Sequence, residues 1–343
     1  MKMNKRLILI LGIAAVVIAL PLAYHHWGLK DSAAAREEML AALPGDPSAV
    51  LFVDLAQFRS SAFLSQLMAW APQLPLDEDY TQFVQATGFN YERDLTRIAV
   101  AFIRQPTGSF AYVIADGRFD RNKIENYAAR NGNAQPQLDQ ARPPLFALKL
   151  KNSPGTFFFK FLSEGRIAWT NDPSYGDFFV QHRDTGPNGE WKKHFERLAG
   201  SPLFGAVRQD AASAAALAHQ APWGFRSPQL AALLSQLDWI TVGARPDGTI
   251  LRVAAEGECS VDTTIHQLKD FLGGILLLAE VGLNGPKNRK ELDPQVREAY
   301  LELLKSAQVE EVARGTGKSV RVVFEVTPAF LDAARAMGTK SAN

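Results

Sequence analysis

The segment that looks most like a ligand loop is Gly315-Thr-Gly-Lys-Ser319. A phosphate cradle needs Gly-x4-Gly-Lys-Ser/Thr opening a helix, because the free N–H groups of the first helical turn hold the phosphates. Here Val312 stands where the first glycine belongs, and the residues that follow, Val320-Arg-Val-Val-Phe324, are strand-like. The segment therefore reads as a hairpin turn. Of the six histidines, His25 and His26 adjoin an apolar run, while His182, His194, His219 and His266 stand apart, none three or four residues from another. That spacing carries no helical metal pair, and His266 reads as a flank residue of its helix. Asp54, Asp116 and Glu256 lie at predicted strand ends. Acid–base groups occur there, but turns also favour carboxylates. The single cysteine, Cys259, sits between a strand and a helix start. A reactive thiol there competes with a plain half-buried residue, and no partner motif supports the first. No Gly-x-Ser-x-Gly elbow is present. The sequence thus predicts no catalytic, cofactor-binding or metal-ligating residue and no cofactor.

Composition bounds what such residues serve. Apolar residues make up 47% of 343, enough for a real core. Thirty-seven Lys and Arg stand against 36 Asp and Glu, a net charge of +1. The densest basic runs, Lys192-Lys193 and Lys287-Asn-Arg-Lys290, are short, flanked by acids and read as solvated surface. Nucleic-acid binding draws its affinity from phosphate neutralisation, so no nucleic-acid partner is expected. With one cysteine there is no intrachain disulfide, and stability must come from packing.

The start of the chain has its own logic. Lys2, Lys5 and Arg6 precede an uncharged run from Leu7 to Tyr24. As a helix these eighteen residues span about 27 Å, close to a bilayer's hydrocarbon thickness. Positive residues before the span favour an inside N-terminus and an outside body. A cleaved signal peptide competes with an anchor. Pro21-Leu22-Ala23 is a poor cleavage site and Ala33-Ala34-Ala35 a late one, so the anchor is preferred. The expectation is a single-pass protein of the bacterial inner membrane, its lipid partner met through residues 7–24, its body periplasmic or outside.

The body reads as α+β. Residues 1–27 form a stub and transmembrane anchor, and 28–42 a tether. A first repeat is placed at 44–185 and a second at 195–338. Ala49–Asp54 is strand-like, and helices are expected near 61–70 and 77–87. Hairpin strands at 97–103 and 109–115 precede a helix at 120–131, a polar loop to 144, strands at 145–151, 156–161 and 166–170, and a helix start at Pro173. The second half repeats the order, with strands at 238–244 and 249–255, a helix from Val261 to Val281 capped by Ser260, a helix at 293–306, strands at 308–313 and 319–326, and a helix opening at Thr327-Pro328. Phe110–Gly117 aligns with Ile250–Gly257, which suggests a duplication. Antiparallel sheets covered by helices on one face are expected in both copies. Ile265, Leu268, Leu272, Ile275 and Ala279 make an apolar stripe. The long helix is therefore expected in the core, with Gly273-Gly274 closely packed or bent.

Three segments carry a resemblance. Leu43-Pro-Gly-Asp-Pro-Ser-Ala-Val-Leu-Phe-Val-Asp54 and Gly88-Phe-Asn-Tyr-Glu-Arg-Asp-Leu95 resemble those of a loose group of bacterial membrane-anchored proteins, as does the close Phe324-Glu-Val-Thr-Pro-Ala-Phe330. The resemblance implies export and a duplicated body across residues 43–338 and supplies no catalytic residue. Together these features favour a membrane-anchored, non-catalytic extracytoplasmic binding or structural module, with an envelope protein as partner. The alternatives are an exported hydrolase with its site in the cleft between repeats, and an apolar-ligand-binding protein.

Overall fold

The computed structural model describes residues 34–63, 78–105, 108–131, 145–149, 156–172, 189–197, 200–209, 232–314 and 317–341. Strands β1 (Ala49–Asp54), β2 (Leu95–Gln105), β3 (Gly108–Gly117), β4 (Phe146–Lys149), β5 (Thr156–Ser163), β6 (Arg166–Thr170), β7 (Leu203–Arg208), β8 (Trp239–Asp247), β9 (Ile250–Cys259), β10 (Gln308–Arg314) and β11 (Gly317–Val326) form one sheet. Its order is β10-β11-β9-β8-β7-β1-β2-β3-β6-β5-β4. The helices are α1 (34–41), α2 (Leu55–Arg59), α3 (Glu78–Thr87), α4 (Tyr91–Asp94), α5 (Arg121–Asn131), α6 (Gly189–Arg197), α7 (Asp262–Asn284), α8 (Pro286–Glu291), α9 (Pro294–Ser306) and α10 (Pro328–Ser341).

The fold is α+β with a large antiparallel sheet, and both halves share that one sheet. From the centre outward the first half runs β1-β2-β3-β6-β5-β4 and the second β7-β8-β9-β11-β10. They join edge to edge where β1 pairs antiparallel with β7, Phe52 opposite Phe204 with rings 5.3 Å apart. Pairing satisfies the backbone groups that two exposed edge strands would otherwise present.

Helices lie on both faces, which departs from the one-sided cover expected of each half. Residues in register across an antiparallel ladder share a face. Val50, Phe52, Ala99, Ala101, Ile114 and Phe204 share one face, where α1 supplies Met39 and Leu40, and α6 supplies Trp191, to a common core. On the opposite face α5 packs Ile124 and Ala128 on Phe159 and Phe161, and α7 packs Ile265 and Leu268 on Val320 and Cys259. Helical cover is thus central on one face and lateral on the other.

Local chemistry explains most boundaries. Asp54 ends β1 and caps α2, accepting from Gln57 N at 2.9 Å, as short polar side chains do at helix starts. Gly248 takes φ 60° in the β8–β9 turn, a conformation glycine adopts without penalty. Asp293 caps α9 ahead of Pro294. Thr327 accepts from Phe330 N at 3.2 Å to open α10, with proline again at the favoured first position. The expected cap at Ser260 does not form. Val261 is the cap residue, without a side-chain bond, while the Ser260 N–H donates to Asp238. Gly317, Lys318 and Ser319 lie in β11, as a hairpin reading of that segment requires.

Helix α7 corrects a second expectation. Its first half is core, with Ile265 and Leu268 buried, but Leu277, Leu278 and Val281 are 62%, 68% and 61% exposed. Gly273 and Gly274 meet nothing within 4 Å, so close packing does not explain them. Among the described residues no helix is long and apolar enough to cross a membrane. Residues 7–24, most of the helix expected at 61–70, the loop to 144, the helix start at Pro173, and His25, His26, His182 and His219 lie outside the described residues.

Candidate functional site

Three places gather chemistry. The first two are ion networks at equivalent points of the halves. Asp116, near the end of β3, is the cross-strand partner of Arg166 on β6; Arg166 donates from Nε and Nη2 to its two oxygens at 2.6 and 3.1 Å. The same guanidinium reaches Glu38 of α1 at 2.7 Å, and Arg97 donates to Asp54 at 3.3 Å. In the second half Glu256 on β9 is the partner of Arg321 on β11. It is wholly buried and accepts from Arg321 at 2.8 Å, from Arg197 of α6 at 2.7 Å and from Ser319 Oγ at 2.6 Å.

Beside it Glu258 takes the second Nη of Arg197 at 2.6 Å. Glu258 also accepts from His194, whose Nδ1 lies 2.8 Å away. A carboxylate only accepts, so Nδ1 carries the proton. His194 is buried and stacks on Trp239, ring centres 3.9 Å apart. Burial raises the pKa of Glu256, but the bonds from Ser319, Arg321 and Arg197 outweigh it and hold the carboxyl below its usual range. An ionised carboxylate matched by two guanidiniums is a structural anion rather than a proton donor. Ser319 donates its hydroxyl to Glu256 at 2.6 Å, but both residues are buried and the two guanidiniums on that carboxylate make it a weak base.

These pairs answer the carboxylates singled out in the sequence. Asp54 is a helix cap, and Asp116 and Glu256 are charge anchors of the sheet. The guanidiniums were not legible, because Arg166 lies 50 residues from Asp116 and Arg321 lies 65 from Glu256. Cys259 is buried against the α7 core, its sulfur accepting from Val261 N at 3.3 Å. His266 is exposed beside Glu311 and Asp270, on the flank of its helix. No cluster of His, Cys, Asp or Glu able to hold a metal occurs among the described residues.

The third place is apolar. Between α3, α5 and the strands β5 and β6 lies an open cleft of ≈ 260 Å³ lined by Phe83, Ile124, Tyr127, Phe157, Phe159 and Trp169, with Ala128 and Ile167 at its wall. Phe83 meets Tyr127 edge-on at 5.3 Å, and Phe159 stacks on Phe146 at 5.1 Å. Both are favoured ring geometries, and they hold these side chains in place. The matching place in the second half, beneath α7, is filled: Ile265, Leu268, Val320 and Leu237 are buried there, with Phe271 and Leu272 packed on them. Aromatic density in Phe157-Phe158-Phe159 and Trp169 was the only sequence signal for the cleft.

No protein-family model matches the chain, and no curated protein matches it. Solved structures of the Treponema protein TP0453 are similar in outline. Crystal form III is 8% identical over 87% of this chain and 96% of that one, at a TM-score of 0.46. Crystal form I is 7% identical over 88% and 97%, at 0.47.

Two of the segments that carried the resemblance have clear structural roles. In Gly88–Leu95, Phe89 stacks on Phe119 at 5.3 Å and Asn90 caps α4, accepting from Glu92 N. Asp94 is buried among bonds from Arg93, Asn90 N and Arg118. In Leu43–Asp54, Leu43 is buried and Asp46 pairs with Arg208 on β7.

Proposed function

We propose that the chain is a membrane-anchored, non-catalytic extracytoplasmic module that holds a small apolar ligand in the cleft beneath α5. One observation carries the reading: both halves pack a helix on this face of the sheet, and beside the packed contacts of α5 an open, aromatic-walled space of ≈ 260 Å³ remains. Close packing is the rule in protein interiors, and apolar recesses that stay open accept apolar molecules. The size sits just under the ~300–1,000 Å³ of drug-sized sites, which suits one or two fused rings or a short alkyl chain. Placement at the bacterial inner membrane, through residues 7–24 with the body in the periplasm or outside, rests on the uncharged run behind Lys2, Lys5 and Arg6.

The hydrolase alternative draws less support. It requires a cleft between the halves, and the halves meet there as paired strands β1 and β7 covered by α1 and α6. The carboxylates nearby are neutralised by arginines.

The cleft is tested with the full chain held in amphipol, by 19F line broadening of 1-fluoronaphthalene. Saturable broadening that is lost in Ala128→Leu, which places a larger side chain at the cleft wall, is the expected result. Equal broadening by both proteins would remove the cleft as a binding site.

A further inference from the structure

Helix α7 exposes one stripe along its whole length, and that stripe changes character midway. Over its first turns the exposed positions are Asp262, Thr263, His266, Gln267 and Asp270. From Gly273 onward they are Gly273, Gly274, Leu277, Leu278, Val281 and Gly282, without a charge or a hydrogen-bonding side chain among them. Leu277, Leu278 and Val281 are more than three-fifths exposed, and the three glycines have nothing within 4 Å. The intervening Glu280 lies off the stripe and is half-buried. Single exposed leucines are ordinary, but a contiguous apolar helix face left in water marks a contact surface.

The chemistry of the rim selects the partner. Immediately beyond α7, α8 has the sequence Pro286-Lys-Asn-Arg-Lys-Glu291. Arg289 and Lys290 are exposed and make no ion pair among the described residues. Apolar side chains beside unpaired cations are the composition of a helix that lies in the headgroup layer, its leucines among acyl chains and its cations at anionic phosphates. We infer that the C-terminal half of α7, with α8 behind it, docks on an anionic lipid surface. This contact goes beyond the cleft and is independent of it, since α5 and α7 cover different halves of the sheet.

The test uses the full chain reconstituted in vesicles of phosphatidylcholine with phosphatidylglycerol, with bimane attached at Leu278→Cys. Cys259 is buried and stays unlabelled. A second protein carries the dye at Gln267→Cys, on the polar half of the same stripe. Brominated lipid is expected to quench the dye at position 278 several-fold more than at 267. Arg289→Glu with Lys290→Glu, or vesicles of phosphatidylcholine alone, should bring the two sites close to equal. Quenching at 278 no greater than at 267 overturns the inference. So does shielding of the dye at 278 in lipid-free detergent that grows with protein concentration, which would assign the stripe to a second copy of the chain.

Discussion

Glu256 lies opposite Arg321 across the β9–β11 ladder, and the guanidinium donates from Nε and Nη2 to a single carboxylate oxygen at 3.2 and 2.8 Å. The other oxygen takes Arg197 and Ser319. Glu256 therefore ties α6 to two strands. Buried ion pairs add little over an apolar replacement of the whole group, but removing one partner strands the others. Glu256→Gln is expected to lower unfolding stability by about 3 kcal/mol, read by urea denaturation. Adding Arg197→Met and Arg321→Met to it should recover most of that loss. A single substitution costing under about 1 kcal/mol would mean the network is solvated and slack.

Acid sensitivity follows from the same carboxylate and from Asp94. Arg93, helped by Asn90 N and Arg118, holds Asp94 well below its ordinary 3.8, and Glu256 lies below its ordinary 4.5. A carboxyl with a depressed folded pKa binds protons more readily when unfolded. Its contribution is therefore complete above the ordinary value and drains away as pH falls below it. Stability should be flat from neutral pH to about 5 and then decline on further acidification, and Asp94→Asn should flatten the decline. Melting temperatures across this range decide it, and a decline already complete at pH 5 would contradict the assignment.

Gly117 and Gly257 follow Asp116 and Glu256 at matching points of the two halves, yet they tolerate a methyl group differently. A Cβ at Gly117 would lie 2.7 Å from the backbone oxygen of Asp94 and 3.0 Å from the Phe119 ring. At Gly257 it would meet the tip of the Leu237 side chain at 2.9 Å, which can turn aside. Gly117→Ala is expected to cost about 2–3 kcal/mol and Gly257→Ala about 1 kcal/mol. Chemical denaturation of both variants gives the order, and the reverse order would show that β3, not β9, has room to shift.

The cleft makes a prediction about stability as well as binding. Ala128 and Ala168 are both buried, but Ala128 borders the open space, whereas Ala168 lies in the core on the opposite side of the sheet. Ala128→Leu should change stability by less than about 1 kcal/mol, because the added methylenes enter space. Ala168→Leu should cost at least about 2 kcal/mol through overpacking. Equal losses in thermal melts would mean that the cleft closes in solution.

Much of this architecture was legible in local chemistry. Period-two apolar runs and the turn residues at Asn152–Gly155 and Arg245–Gly248 announce hairpins, and Pro328 after Thr327 opens the last helix as expected. Val312 in place of a glycine was enough to dismiss a phosphate loop, and Gly317 to Ser319 do lie in a strand. These features depend on neighbours within a few residues, which is the range over which a sequence speaks for itself. Pairing β1 with β7, setting Arg321 against Glu256, leaving one half open beneath α5 while filling the other beneath α7, and turning Leu277 and Leu278 outward were decided by the tertiary structure. An apolar stripe states that a surface avoids water; which surface covers it depends on long-range register and on the volume left between elements.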